Sequence, residues 1–324
     1  MNFWPTTLAR FTLGVGVLLA GSLFVDLLAG SIPTAQAVDA HYSGRQGQIL
    51  VVKVPAHGGV TYVEGTFLGR SINFFPDTRV EELKGFVGLL GIDLQDEPGI
   101  HELTVKVQAE EQSQMFTYRV QVLKEKFHVE RLTLPKNKVD LDEKSLARWT
   151  AEQAQVKEML ANDSHTKFWQ SGFVEPVAGK RTGIFGSVRI MNGQARNPHN
   201  GEDIGAPLGT EVAATNDGIV RLTVDHIFSG KGVFLDHGLG MYSMYFHLSE
   251  VLVKEGDVVK AGEVIGKVGA TGRATGPHLH WGVKLNGARV NPYALLDLPF
   301  KGSVQSAAPV PVTDPGSSVG APDP

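Results

Sequence analysis

Asn197-Pro-His-Asn-Gly-Glu-Asp-Ile-Gly-Ala-Pro207 and Gly276-Pro-His-Leu-His-Trp281 bracket the stretch on which the reading of this chain turns. The second segment runs on as Trp281-Gly-Val-Lys-Leu285, an alternating pattern that predicts a β-strand. Residues two apart on a strand share a face, so His278 and His280 can both reach one site. His199 and Asp203 stand four apart among Asn, Pro and Gly, which predicts a loop. Tyr245-Phe-His-Leu-Ser249 adds His247 as a fifth candidate. Any one of these histidines alone would read as a surface or hydrogen-bonded core residue. Together they form a set of imidazoles and a carboxylate of the borderline softness that suits zinc. The chain has no cysteine. A closed structural site usually draws on thiolates, whereas three N/O ligands leave a position open for catalysis. No H-E-x-x-H is present, which excludes the helix-borne zincin arrangement.

Outward from these motifs the pattern is β throughout. Strands are predicted at Glu211–Ala214, Gly218–Val224, Gly232–Asp236 and Met241–His247, with Gly238-Leu-Gly240 turning one hairpin. Gly256 to Gly266 reads as a second hairpin, similar to that of biotinyl or lipoyl carrier domains. Lys260 lacks the modification context a carrier needs. His237 reads as structural support, and His226 falls in a predicted loop. The glycines at 201, 205, 272 and 276 suggest room for an extended peptide beside a metal.

These motifs carry a resemblance. Residues 181–294 resemble the catalytic domain of the LytM/lysostaphin-type zinc metallopeptidases, which cleave peptide bonds in peptidoglycan. The front motif His-x-x-x-Asp matches His199 and Asp203, His-x-His matches His278 and His280, and His-Leu-Ser matches His247 to Ser249. The resemblance implies that His199, Asp203 and His280 are Zn2+ ligands and that His247 and His278 are catalytic. It implies peptidoglycan stem peptides as the binding partner, with the D-alanyl–diaminopimelate cross-link as the expected bond. The alternative it carries is a non-catalytic LytM-like activator of a cell-wall amidase. Relatives of that kind usually lack one or more ligands, whereas all five positions are filled here.

The remaining chain supplies context. With 324 residues, 42% hydrophobic, 20% charged and a net charge of −4, it has room for two domains, and its acidity argues against nucleic acid. Residues 1–37 read as a secretory signal: Arg10, an apolar run from Phe11 to Val25, and a small-x-small site at Ala35-Gln36-Ala37. An exported protein of the periplasm or cell envelope is expected, without stable membrane insertion if the signal is cleaved. Residues 41–130 predict short even strands in a β-sandwich and resemble the immunoglobulin-like domain that precedes some peptidases of this family. Residues 131–180 form a helical linker, with a helix near 140–162 capped by Asp140 or Asp142 and an apolar face of Leu146, Trp149, Val156 and Leu160. Phe168, Trp169 and Phe173 are expected in the core of that linker. The peptidase domain spans 181–298, and the Ser/Ala/Pro-rich segment 299–324 is expected to be disordered. The fold class is thus mainly β: sandwich, linking helix and antiparallel β peptidase domain.

Overall fold

Apolar alternation shapes several strands in the first half of the protein, Gly99–Ala109 and Gln112–Leu123 most clearly. The structure is a computed structural model that describes residues 36–55, 59–77, 85–110, 112–132, 142–161, 164–195 and 197–300. Its first seven strands are β1 (Gln36–Arg45), β2 (Ile49–Pro55), β3 (Val60–Phe67), β4 (Arg70–Asp77), β5 (Gly85–Gly91), β6 (Gly99–Ala109) and β7 (Gln112–Leu123). In β6, Leu103, Val105 and Val107 point inward, and in β7 Tyr118, Val120 and Val122 do the same. The strands pair in the order β1-β7-β6-β3-β4-β5-β2, with β1 parallel to β7. Strand β4 closes the sandwich: Arg70–Asn73 pair with β3, and Phe74–Asp77 pair with β5. The sheet therefore folds over one core that includes Val52, Phe67, Ile72, Leu90 and Tyr118.

A short strand, β8 (Val129–Leu132), leads to α1 (Glu143–Leu160), whose N-cap Asp142 accepts the Ser145 N–H at 2.7 Å. The second half follows as β9 (Lys180–Gly183), β10 (Val188–Met191), β11 (Gln194–Ala195), β12 (Gly201–Gly205), β13 (Glu211–Ala213), β14 (Gly218–His226), β15 (Gly230–Gly238), β16 (Met241–Leu248), β17 (Glu250–Val251), β18 (Val258–Val259), β19 (Val264–Lys267), β20 (Leu279–Leu285) and β21 (Ala288–Val290). Its main sheet has the order β18-β14-β15-β16-β20-β12-β9, with β21 beside β20. All of its neighbours are antiparallel.

The two halves share a core. Strand β5 is buried on both faces: Leu90 enters the sandwich, while Val87 and Leu89 join Leu285, Ala288 and Val290 of the main sheet. Gly91 makes this approach possible, because a Cβ there would stand 3.0 Å from the Leu285 carbonyl oxygen and 3.1 Å from Ala288 Cβ. Trp169 is fully buried in the same core, with the rings of Phe75, Phe173 and Phe300 centred 4.8–5.8 Å away. Polar bonds register the contact. Asn286 Nδ2 donates to the Leu89 carbonyl at 2.7 Å, and Arg289 donates to both Asp93 oxygens from Nε, Nη2 and its main-chain N–H.

Burial pushes the Asp93 carboxyl up, but the bonds from Arg289 and the Gln95 N–H outweigh it and hold the group below its ordinary value. A carboxyl depressed on folding contributes stability above its unfolded pKa of about 4, and loses it as pH falls through the folded value. The melting temperature is therefore expected to drop below about pH 4 more steeply in the native chain than in Asp93→Asn. Parallel pH–melting curves for the two proteins would contradict this.

Several expectations are corrected. The segment proposed as a tail from 299 begins too early, because Phe300 is core; residues 301–324 lie outside the described residues, as does the signal segment through residue 35. Gln36 and Ala37 already pair with Phe116 and Thr117, so the sheet starts before residue 41. Strands β18 and β19 do not form a hairpin: β18 pairs with β14, and β19 pairs with β13 and β17. Leu146 and Trp149 of α1 are exposed; Val156 packs on the sheet as expected, joined by Met159 and the unforeseen Glu152. Phe168 is half-buried, whereas Trp169 and Phe173 are core as expected.

Candidate metal centre

Antiparallel register assembles the site. Asp203 on β12 lies directly across from His280 on β20, and Phe246 of β16 lies across from His280 on its other side. Asp203 is thus a strand residue, not a loop residue. His199 precedes β12 and is held by its main chain, its N–H donating to the Ser187 carbonyl at 2.9 Å and its carbonyl accepting the Gly186 N–H at 2.7 Å.

Three ligand atoms converge. His199 Nε2 is 3.0 Å from Asp203 Oδ1 and 3.0 Å from His280 Nδ1, and His280 Nδ1 is 2.9 Å from Asp203 Oδ1. All three residues are buried. In a tetrahedral site with bonds of about 2.0–2.1 Å, donor atoms stand roughly 3.3 Å apart, close to this spacing. Protonation states support the fit. His199 Nδ1 is 3.1 Å from the Ile184 carbonyl, which can only accept, so Nδ1 carries a proton and, in the neutral ring, Nε2 presents a lone pair. That nitrogen and the Asp203 carboxylate oxygen, 3.0 Å apart, can share one cation. Burial pushes the Asp203 carboxyl up, yet the two imidazoles against it hold it well below the usual carboxylate range. Among the described residues this is the cluster able to hold a metal ion, its ligand atoms all lying within 4.8 Å of one another.

The other two histidines stand beside it. The His247 ring centroid lies 4.7 Å from that of His278 and 6.1 Å from that of His280. His247 Nδ1 donates to the Thr271 carbonyl at 2.9 Å, and His278 Nδ1 donates to the Gly276 carbonyl at 2.8 Å. His278 Nε2 is 3.9 Å from Asp203 Oδ1. In each ring the main chain fixes the tautomer and leaves Nε2 as the basic nitrogen. Burial, then the neighbouring imidazoles, pushes His247 down to about 4, so its ring is neutral near pH 7.

Five groups singled out by sequence are therefore brought together, and three other histidines are not. His237 is fully buried, donating from Nδ1 to the Asp217 carbonyl and accepting the Ser243 hydroxyl at Nε2, each at 2.7 Å. His226 ends β14, rather than lying in a loop, with Gln155 beside it. His165 pairs with Asn73. The glycines serve the site differently from the expectation. A Cβ at Gly201 would meet His280 Nε2 at 2.6 Å, and those at Gly205 and Gly272 would also strike protein; only Gly276 faces open space. Sequence reasoning missed Gly183, whose absent Cβ leaves room for Asp203 Oδ2, and the carbonyls of Ile184, Thr271 and Gly276.

Comparison with known proteins identifies the family of this segment. The Peptidase family M23 model matches residues 197–292, the segment that holds all five groups. A crystal structure from Pseudomonas aeruginosa assigned to peptidase M23 is 30% identical, with a TM-score of 0.55 over 78% of this chain and 94% of that one. An antiparallel β domain joined to an upstream β domain is thus the architecture of an M23 peptidase, and the chain belongs to that family. Among curated relatives, the peptidoglycan DD-endopeptidase ShyA of Vibrio cholerae is 46% identical over 94 residues, 29% of this chain and 22% of that protein. The DD-carboxypeptidase/endopeptidase Mpg of Neisseria meningitidis is 44% identical over 97 residues, 30% of this chain and 22% of that protein. The similarity spans less than a quarter of either relative.

Proposed function

We propose that the protein is a zinc-dependent endopeptidase that hydrolyses peptide cross-links of peptidoglycan, of the D-alanyl–diaminopimelate type. The observation that carries this reading is the convergence of His199 Nε2, Asp203 Oδ1 and His280 Nδ1 beside two further imidazoles with basic Nε2 atoms. The names of ShyA and Mpg, each more than 40% identical across this segment, support the DD-type bond. His199, Asp203 and His280 hold the ion, which when bound supplies Lewis acidity toward the scissile carbonyl and lowers the pKa of water.

The other two residues handle protons. In the neutral rings of His247 and His278 the lone pair sits on Nε2, because Nδ1–H is committed to a carbonyl. One Nε2 takes a proton from the attacking water and returns it to the leaving amine nitrogen as the C–N bond breaks. The main-chain anchors keep both rings oriented through this cycle. Action on peptidoglycan places the protein in the cell envelope, consistent with export. The amidase-activator reading gains nothing here, since no ligand or catalytic position is missing.

The test is digestion of purified peptidoglycans followed by mass spectrometry of the released ends. New ends at D-alanyl–diaminopimelate cross-links, suppressed by a zinc chelator and absent from glycine-bridged wall, are expected. Intact cross-links together with stimulation of a separate amidase would replace the hydrolase with the activator.

A further inference from the structure

Helix α1 turns a carboxylate inward while leaving apolar residues outside. Glu152 is buried, whereas Leu146 and Trp149 are exposed. Both Glu152 oxygens accept the Ile227 N–H, at 3.0 and 3.1 Å. Arg148 completes the clasp, donating from Nε to Glu152 at 2.8 Å and from Nη2 to the Asp225 carbonyl at 2.6 Å. The helix thus grips the turn between β14 and β15.

That turn holds the catalytic face. The Ser229 carbonyl accepts the His247 N–H at 2.9 Å, and the Phe228 carbonyl accepts the Arg273 N–H at 2.8 Å. Thr271, two residues before Arg273, accepts the Lys231 N–H on Oγ1 at 3.0 Å and donates Oγ1–H to the Leu248 carbonyl at 2.8 Å. Its own carbonyl binds His247 Nδ1. His247 therefore has its main chain and its ring tied to the turn and to the loop packed on it. Its φ of 62° is a left-handed conformation that a residue with a Cβ adopts only when its neighbours impose it.

We propose that Glu152 is a positioning residue for His247, acting through the Ile227–Ser229 turn. It lies outside residues 197–292, the part shared with the family model. The catalytic consequence rests on the endopeptidase reading; the structural one does not.

The test uses the full zinc-loaded chain and a cross-linked muropeptide. Glu152→Ala is expected to lower kcat about tenfold or more, through misplacement of the imidazole, with KM and zinc content unchanged. Hydrogen exchange at the His247 and Arg273 amides should accelerate while the β6–β7 amides stay protected. Glu152→Gln, whose amide oxygen still accepts the Ile227 N–H, should restore most of kcat, and Leu146→Ala should change nothing. A native kcat in Glu152→Ala, unchanged exchange at His247, or a loss that tracks zinc or folded fraction would each overturn the proposal. If Glu152→Ala does not fold, Arg148→Ala should give the same exchange signature at smaller amplitude, and its absence is equally decisive. If the native chain hydrolyses nothing, the peptidase reading fails, and exchange at His247 still decides whether Glu152 braces it.

Discussion

Alanine in place of His199, Asp203 or His280 is expected to remove both the metal and the activity, whereas alanine at His247 or His278 is expected to remove activity alone. The first three offer Nε2, Oδ1 and Nδ1 atoms that lie 2.9–3.0 Å apart, so losing one leaves two ligands for the ion. Zinc should fall from about one per chain toward zero. His247 and His278 spend Nδ1 on main-chain carbonyls and reserve Nε2 for protons. Their loss should leave zinc in place and lower turnover by about a hundredfold or more, the usual effect of losing an acid–base or oxyanion group. Metal analysis and kinetics on the same five proteins separate the roles. If His278→Ala strips the zinc while His280→Ala retains it, the two labels within His-Leu-His are exchanged. Full activity in all five would end the hydrolase reading.

The second large effect is expected far from the metal. Trp169→Ala empties the space between Phe75 of the sandwich and Phe173 and Phe300 of the second half. Truncating a fully buried aromatic to alanine costs about 3–5 kcal/mol. Because the same cluster includes Val87 and Leu89 of β5 and Leu285 and Val290 of the main sheet, the loss should lower the unfolding midpoint of both halves together. Denaturant unfolding followed by circular dichroism and by hydrolysis of a peptide substrate should give coincident, shifted transitions. A sandwich that unfolds at its native midpoint while the catalytic half shifts would show that the halves are energetically separate.

The parts of this fold legible in the sequence are those where side-chain identity carries the signal. The strand predicted at Met241–His247 ends one residue short of β16, and the alternation of apolar residues in β6 and β7 fits the short strands expected over 41–130. The five polar groups were legible because ligand chemistry admits few residue types. Asp203 was misread as a loop residue because glycines at 201 and 205 suggested a turn. Those glycines instead let strand β12 pass close to His280 and Thr182. The carbonyls of Ile184, Thr271 and Gly276 left no trace, since every residue supplies the same atom. The α1 face was misassigned at Leu146 and Trp149 because 3- to 4-residue apolar spacing implied a longer buried stripe, while the contact that formed joins Val156 and Met159 with the Glu152 carboxylate. Phe86-Val-Gly-Leu-Leu-Gly-Ile92 did hold a clue: an apolar run without alternation indicates a strand covered on both faces.

Strand β5 also determines which pieces of this protein can be inherited or transplanted as units. The stretch shared with the family model ends in β21 and the turn after it, and its Leu285, Ala288 and Val290 rest on a strand encoded about two hundred positions earlier. Grafting 197–292 into a new host would bare that apolar patch to water or to other copies of itself. A chimera that keeps the patch dry must bring β5 along, or supply a host strand with a glycine where Gly91 lets Leu285 and Ala288 come close.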